Sequence, residues 1–562
     1  MNQYIRSLDS IEVYLVGLCA LVSVWFVCFR HHERPSDNKY VASAIWDADE
    51  RLRLGAVELV QRFKFGNENC IDILDLYIEQ LERVNPYLNA VVATRYEQAR
   101  AEARAADLVY EAFRRGQVPH VPVLLGVPCI SKEVFEFPGF PFTAGILSRK
   151  HVVGSKTSPV LGRIQDHGAI IIGCGNTSEG CMWPESSNLV HGTSNNPYDL
   201  TRTCGGSSGG NASITAALGC CFSITSDVGG STRIPSLYNG LFGHKPTGGT
   251  VPNCRSLPVV RGKIERYCQL GPCTRSSRDL MPLLKIMAGP STRGELQDAS
   301  DDELELHRIQ KTYMRHLTWP ELETVDLKKL RYFVVWDQPG VSLGLISRRH
   351  DGMVLAQKKA VHALELEYGV KVETLRIPEL SQCFDIWASM IQQEQTQPFA
   401  HVISDGKGNA INPFCELFKW LISFGRLSDH TLPALLLAAT EVFTKLTPER
   451  NKRMIELGNK IEEELNTLLG ADGVLIFPGL PNPAPKHGPT IPSLLYFAEF
   501  AACGIFNTLQ LPVTAVPMGL SKEGLPVGIQ LVAGNGHDNI PIAVAVALED
   551  MGFAGWTPPG KA

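Results

Sequence analysis

The chain offers little that would commit it to nucleic acid, to a metal or to a disulfide framework. Lysine and arginine number 53 against 58 aspartate and glutamate, for a formal net charge of -5, and no long basic run departs from that balance. There is thus no electrostatic case for a nucleic-acid partner. The 15 cysteines are odd in number and scattered, with no C-x-x-C pair; this excludes a zinc ribbon or paired disulfides and predicts buried free thiols. No group of histidine, cysteine and aspartate has ligand spacing, so no metal and no other cofactor is expected. The histidines are equally dispersed, and His191 and His244, which lie close to the motifs below, read as structural. Internal repeats and low-complexity segments are absent too.

What is present is a large apolar budget for a core. The chain has 562 residues, 44% of them hydrophobic. Length alone suggests three or four domains at roughly 150 residues each, a prior that misleads for one large α/β sheet. Helical patterns cover Asp47 to Phe65, Asn69 to Val84 and the solvent-facing stretch Tyr96 to Arg115. Short apolar runs at Ala169–Ile172, Cys220–Thr225, Val474–Phe477, Val513–Val516 and Val527–Val532 read as strands of a core sheet. Helices alternate with them, which argues for an α/β layer architecture. Residues 290–330 are charged and are expected at the surface.

The N-terminus carries the one long hydrophobic run. Val13 to Phe29 is almost entirely apolar, about 17 residues and near the lower limit for crossing a bilayer. It ends in Arg30-His31-His32-Glu33-Arg34, a poor cleavage site for a signal peptide. The reading is a tail over 1–12, a single uncleaved transmembrane anchor over 13–29, a connector over 30–45 and a catalytic domain over 46–562; a signal peptide and a peripheral helix are the alternatives. Arg30 and Arg34 follow the run, whereas Arg6 is offset by Asp9 and Glu12, so the charge bias slightly favours a cytoplasmic catalytic domain. The sequons Asn176-Thr177-Ser178 and Asn211-Ala212-Ser213 fall inside the motif region and are expected to be buried, which makes them silent about compartment.

Three residues stand in frames that hold them: Lys132 after Leu-Leu-Gly-Val-Pro-Cys-Ile-Ser, Ser207 within Gly-Gly-Ser-Ser-Gly-Gly210, and Ser231 after Ser-Asp-Val-Gly-Gly. A lysine and two serines are the parts of a nucleophilic hydrolase that works without histidine. Serine needs a neighbouring base, and lysine serves as one only when burial or positive neighbours lower its pKa. The glycine run 205–210 has competing readings as a flexible linker or a phosphate-cradling loop. It leads into the apolar stretch Ala212–Leu218 and lacks the lysine and preceding strand of a phosphate loop. It also matches G-x-S-x-G, but a nucleophile elbow needs a strand just before the serine, and Asn196–Thr203 is a polar turn. The expected strand follows it instead and points towards Ser231. At Ser231 the paired glycines leave backbone amides unshielded, as an oxyanion hole requires. The alternative is a glycine turn with Asp227 and Arg233 as a structural ion pair.

The segments Gly-Val-Pro128-Cys-Ile-Ser-Lys132, Thr143-Ala-Gly145, Gly-Gly-Ser-Ser-Gly-Gly210, Asp227-Val-Gly-Gly-Ser231 and Gly243-His-Lys-Pro246 resemble the amidase signature family. Cys181–Asn188, Ser194–Leu200 and Tyr238–Pro246 are similar to its fatty-acid amide hydrolase branch, nearest the type-2 form. The similarity covers nearly the whole chain after the connector and weakens between about 290 and 470. It implies one large domain with a twisted mixed β-sheet covered by helices. It also implies a Ser-Ser-Lys triad in which Ser231 attacks, Ser207 (after a cis peptide) relays the proton and Lys132 is the base. The amides of Val228, Gly229, Gly230 and Ser231 would hold the oxyanion, Ser208 would support the network, and Met182 would line the site. Two departures stand out: Asn211 occupies a position where an acidic residue is expected, and the spacing of Met182-Trp-Pro-Glu185 differs from the type-1 form.

Substrate class is read from Phe414–Phe424 and Leu432–Ala439, apolar and aromatic segments that are either a core helix pair or a membrane-facing lip, with Trp420 and Phe424 on one helix face and Lys419 and Arg426 beside them to meet headgroups. With the anchor, the expectation is hydrolysis of long-chain fatty-acid amides (N-acylethanolamines, primary amides) at an endomembrane or lipid-droplet type membrane. Lipid amide and membrane are the expected partners, and a homodimer is allowed. The alternatives are a general amidase of small soluble amides, the amidotransferase branch of the family and a catalytically silent membrane scaffold.

Overall fold

The computed structural model describes residues 38–560 except 261–263, 291–299, 301–302, 305–309, 312–318, 337–348, 395–396, 406–409, 424, 446–447 and 488–502. Eleven strands form one sheet: β1 (Val91–Thr94), β2 (Pro128–Lys132), β3 (Ile170–Gly175), β4 (Phe222–Asp227), β5 (Phe242–Lys245), β6 (Gln269–Thr274), β7 (Arg331–Val335), β8 (Val372–Leu375), β9 (Gly473–Pro478), β10 (Val513–Leu520) and β11 (Pro526–Ala533). Their order across the sheet is β1-β3-β2-β4-β6-β5-β10-β11-β9-β7-β8. β2 is parallel to both β3 and β4, β7 is parallel to both β8 and β9, and the remaining pairs are antiparallel. The sheet is therefore mixed, as expected. Its inner strands β2, β3, β4, β9 and β11 are buried along their whole length. That is why they read as continuous apolar runs rather than alternating ones.

Each sequence-predicted strand is present, with ends that differ by up to four residues from the apolar runs. The helices need more correction. Residues 38–45, assigned to the connector, belong to helix α1 (Asn38–Trp46). Val41, Ala44 and Ile45 face the core, a one-sided apolar pattern too short to be recognised without its packing partner. Asn38 binds Asp199 and the Leu200 amide, and Trp46 Nε1 donates to Pro559 O, so this helix is tied to the catalytic body. Asp47–Phe65 is not one helix: a 3₁₀ turn at Glu50–Arg53 precedes α2 (Ala56–Phe65). The break is set from afar. The Asp279 carboxylate accepts the Ala56 and Val57 amides at 2.8 and 3.0 Å and starts the helix there. The second predicted helix runs from Cys70 to Leu88 and the third from Tyr96 to Arg114; the latter buries Ala99, Ala103, Ala106 and Tyr110 and is solvent-facing on its other side only.

The segment 414–440 contains the helix pair of one reading, with an apolar stripe left exposed on its outer side. Helix α3 (Pro413–Ser423) turns Leu417 and Trp420 onto Leu432, Leu435, Leu436 and Ala439 of α4 (Leu432–Lys445), a small core of its own. The opposite side of α3 shows Phe414, Phe418 and Ile422 to solvent, at 41%, 63% and 58% exposure, with Leu427 beyond it at 69%. Trp420 is thus a core residue; Phe424 lies outside the described residues. The expected anchor over 13–29 also lies outside them, and among the described residues no helix is long and apolar enough to cross a membrane.

Candidate functional site

Lys132 is the last residue of β2, and Ser226 and Asp227 end the adjacent parallel β4. The β2–β4 register, with Ile130 beside Ser223, brings these two strand ends to one edge of the sheet. Lys132 Nζ is fully buried there and donates to Ser207 Oγ at 2.7 Å and to Ser226 Oγ at 2.9 Å. Burial lowers its pKa below that of an ordinary lysine, with the nearby Asp227 and Glu133 carboxylates pulling the other way. Glu133 is itself buried and pushed up to about 7, although it accepts the Thr143 amide at 2.6 Å and the Gly145 amide at 3.3 Å. A base that tends to the neutral form, touching a serine, is what the motif required.

Ser207 is presented by the glycine frame, and the Gly206–Ser207 peptide is cis. A Cβ at Gly206 would sit 2.3 Å from Trp183 O and 2.6 Å from the Glu185 nitrogen, so only glycine fits. Ser186 braces the turn, its hydroxyl donating to Ser207 O at 3.0 Å and accepting the Gly209 amide at 2.8 Å. Ser208 donates its amide to Ser231 O at 3.2 Å and its hydroxyl to Ser226 O at 3.4 Å, linking the two serine segments. Ser207 and Ser231 line the same cavity. No hydrogen bond joins their hydroxyls; that of Ser207 accepts from Lys132.

The loop carrying Ser231 hangs on Asp227. Its carboxylate accepts the amides of Gly230 (2.7 Å) and Thr232 (3.1 Å) and both Nε and a terminal nitrogen of Arg233 (3.0 Å each), all fully buried. Burial alone would raise this carboxyl; the Arg233 guanidinium overcomes it and holds the pKa at about 2. Asn507, 280 residues away in sequence, donates to Asp227 O and to its carboxylate, and accepts from Arg233. The Asp227–Arg233 ion pair of one reading is present, and it shapes the loop whose amides the other reading needs. It also corrects one expectation. The Gly230 amide, expected among the oxyanion donors, is given to Asp227. Among the described residues the amides of Val228, Gly229 and Ser231 have no protein acceptor and remain open.

The cavity around these groups measures about 750 Å³, counting the space open at its mouth. Met182, which packs against the clusters of both Ile264 and Phe399, lines it together with Leu257, Val260, Ile264, Ile391, Phe399 and Val402. Asn253 and Gln397 are its amide side chains. Phe399 also packs on Ala434 and Ala438, so α4 backs one wall of the cavity. Sequence reasoning missed Ser226, Asn507 and most of this wall. Ser226 was visible as a hydroxyl beside Asp227, but only the strand register puts it on Lys132.

The remaining expectations are settled locally. Asn176 and Asn211 are fully buried, so neither sequon is available to a glycan. Asn211, in the place of an acidic residue, donates to Ile224 O at 3.3 Å inside the short helix Gly209–Ala216. His244 bridges Thr514 and Asp538 and is structural; His191 lies 4.0 Å from Glu133. Of the described cysteines all but Cys415 are buried, and all are free.

A sequence model of the amidase family matches residues 72–540. Fatty-acid amide hydrolase 2-A of Danio rerio is 38% identical over 518 residues, covering 91% of this chain and 90% of its own. Fatty-acid amide hydrolase 2 of Homo sapiens is 35% identical over 517 residues, covering 91% of each. A solved structure of a fatty acid amide hydrolase superposes with a TM-score of 0.69 at 17% identity, over 94% of this chain and 92% of that one. Taken with the mixed sheet and the buried lysine–serine contact at its edge, these matches identify the chain as an amide hydrolase that belongs to the amidase signature family.

Proposed function

We propose that the chain is a membrane-anchored serine hydrolase that splits long-chain fatty-acid amides into fatty acid and amine through an acyl-enzyme on Ser231. The observation that carries this reading is the buried Lys132 Nζ–Ser207 Oγ contact beside a cavity that also exposes Ser231. Ser231 Oγ adds to the amide carbonyl as its proton passes to Ser207, and the Ser207 proton passes to neutral Lys132. The carbonyl oxygen becomes an oxyanion facing the open amides of Val228, Gly229 and Ser231. Collapse expels the nitrogen, which takes a proton back from Lys132 through Ser207 and leaves as free amine. Water then repeats the sequence on the acyl-enzyme, and the fatty acid leaves.

Three features support a long acyl chain and a membrane. The cavity walls are aliphatic and aromatic. The relatives matched over nine-tenths of the chain carry fatty-acid amide hydrolase names. The apolar outer stripe of α3, with Lys419 beside it, has the make-up of a helix lying in a headgroup layer. In this reading Val13–Phe29 tethers the enzyme and α3 lets the bilayer reach the cavity mouth. The test is hydrolysis of a long-chain against a short-chain amide by wild type and Ser231→Ala in parallel. Long-chain turnover that vanishes in the variant supports the reading. Preference for the short chain moves the assignment to a general amidase, and turnover by Ser231→Ala refutes the nucleophile.

A further inference from the structure

The open amide of Gly229 belongs to a peptide whose other end is clamped. Trp387, from the helix Cys383–Glu394, donates its indole Nε1 to Val228 O at 2.9 Å. In a planar trans peptide the carbonyl and the following N–H point in opposite directions. Fixing Val228 O on the indole therefore aims the Gly229 N–H away from it. Val228 lines the cavity, whereas Trp387 does not.

This peptide needs a clamp because its sequence gives it little stiffness. Gly229 has no Cβ, so the plane between 228 and 229 is free to turn about the glycine side. The next plane is held by Asp227 through the Gly230 amide, which leaves the Val228–Gly229 plane as the freely rotating one in the loop. Trp387 is itself well fixed. It is 3% exposed, stacks obliquely with Phe384 at 6.1 Å, and lies against Gly504, where a Cβ would stand 2.9 Å from its ring. One turn further along the same helix, Ile391 reaches the cavity wall.

We infer that Trp387 is a positioning residue of the reaction: it holds the Val228–Gly229 peptide so that the Gly229 amide is already aimed when the oxyanion forms. The inference rests on Ser231 being the nucleophile. A donor that meets charge only in the transition state acts on kcat rather than on substrate binding. Losing an oxyanion donor outright costs ~10²–10³ in rate; loosening its anchor by one neutral hydrogen bond is worth up to about 10-fold.

The experiment compares wild type with Trp387→Phe and with a variant carrying β-(benzothienyl)alanine at position 387, which keeps the bicyclic shape and removes only the donor. Three quantities are read: kcat and KM on a long-chain primary amide; affinity for the chain-matched alkyl trifluoromethyl ketone, which adds the serine and forms an oxyanion; and affinity for the chain-matched fatty alcohol, which fills the cavity and forms none. The expected result is kcat and ketone affinity both lower by about 10-fold, with KM and alcohol affinity within about 2-fold of wild type. Unchanged kcat and ketone affinity in the benzothienyl variant overturns the inference, whether or not Trp387→Phe folds. Ketone and alcohol weakening together also overturns it, since that is the mark of a damaged cavity. A wild type that the ketone does not inhibit, or a Ser231→Ala variant that still turns over, refutes the nucleophile assignment instead and is told apart from the other outcomes by needing no change at 387.

Discussion

Replacing Asp227 by asparagine exchanges one buried carboxylate oxygen for an amide NH₂ where the Ser231 loop is tied down. One oxygen survives and can keep the Gly230 amide, now at 2.7 Å. The NH₂ then confronts the Thr232 amide and Arg233 Nε, at 3.1 and 3.0 Å from the oxygen it replaces, so donors face donors. Arg233 is left charged and fully buried with neutral acceptors alone: the surviving side-chain oxygen at 227 and those of Gln530 and Asn507. Removing one partner of a buried ion pair typically destabilises by about 3–5 kcal/mol, because the surviving charge loses its compensation. The pH dependence provides an internal check. The Asp227 carboxyl is depressed from 3.8 to about 2, so its contribution is fully present above pH 3.8 and lost as pH falls towards 2. The size of that contribution is ~2 kcal/mol at about 1.4 kcal/mol per pH unit. The assay is the urea midpoint followed by tryptophan fluorescence at neutral pH and at the most acidic pH the wild type tolerates. Asp227→Asn is expected to lower the neutral midpoint strongly and to flatten the wild type's acid sensitivity. Adding Arg233→Met should recover part of the loss, since it removes the stranded charge. A neutral midpoint within the equivalent of about 1 kcal/mol of wild type would show that the pair does not organise this loop.

Two further outcomes follow from the site and its surroundings. If neutral Lys132 is the base, kcat/KM rises with pH through a limb lying below the ordinary lysine value of 10.5. Ser226→Ala removes an acceptor that favours the ammonium form and should move that limb to still lower pH. A limb at the ordinary lysine position, or one that moves upward in Ser226→Ala, contradicts the assignment. Phe418→Asp places a charge on the most exposed ring of the α3 stripe. Losing a buried phenylalanine's transfer energy, ~1.5–3 kcal/mol, should raise KM for a vesicle-presented long-chain amide by about 10-fold or more while sparing a water-soluble short-chain amide. Equal losses on both substrates would mean that α3 serves the fold and not the membrane.

The sequence carried the chemistry further than it carried the architecture. Lys132, Ser207 and Ser231 were legible because each needs a rigid, small-residue frame, and glycine frames of that kind are written locally. The strands were legible because full burial on both faces leaves continuous apolar runs. Helix α1 was missed because three core-facing residues in nine make too weak a pattern. The break before α2 was missed because Asp279, which sets it, lies more than 200 residues downstream. The sequence left 414–440 open between a core helix pair and a membrane-facing lip, because nothing local says which face of α3 is covered; the packing of α4 against it turns Trp420 inward and leaves Phe414, Phe418 and Ile422 outside.

By itself, then, the sequence determined which atoms are present to react: a lysine, two serines and a run of unshielded amides, with the family membership those frames imply. The tertiary structure decided how those atoms are biased. It removed Lys132 from water, which lowers its pKa, and set Ser226 and Ser207 on its nitrogen. It gave the Gly230 amide to Asp227, and it brought Asn507 and Trp387 from distant segments to hold the carbonyls of Asp227 and Val228. The physical reason is that burial, and hydrogen bonds between residues hundreds of positions apart, exist only once the sheet has set its register. A motif names a group, while its pKa and the aim of its N–H belong to the neighbours that the fold supplies.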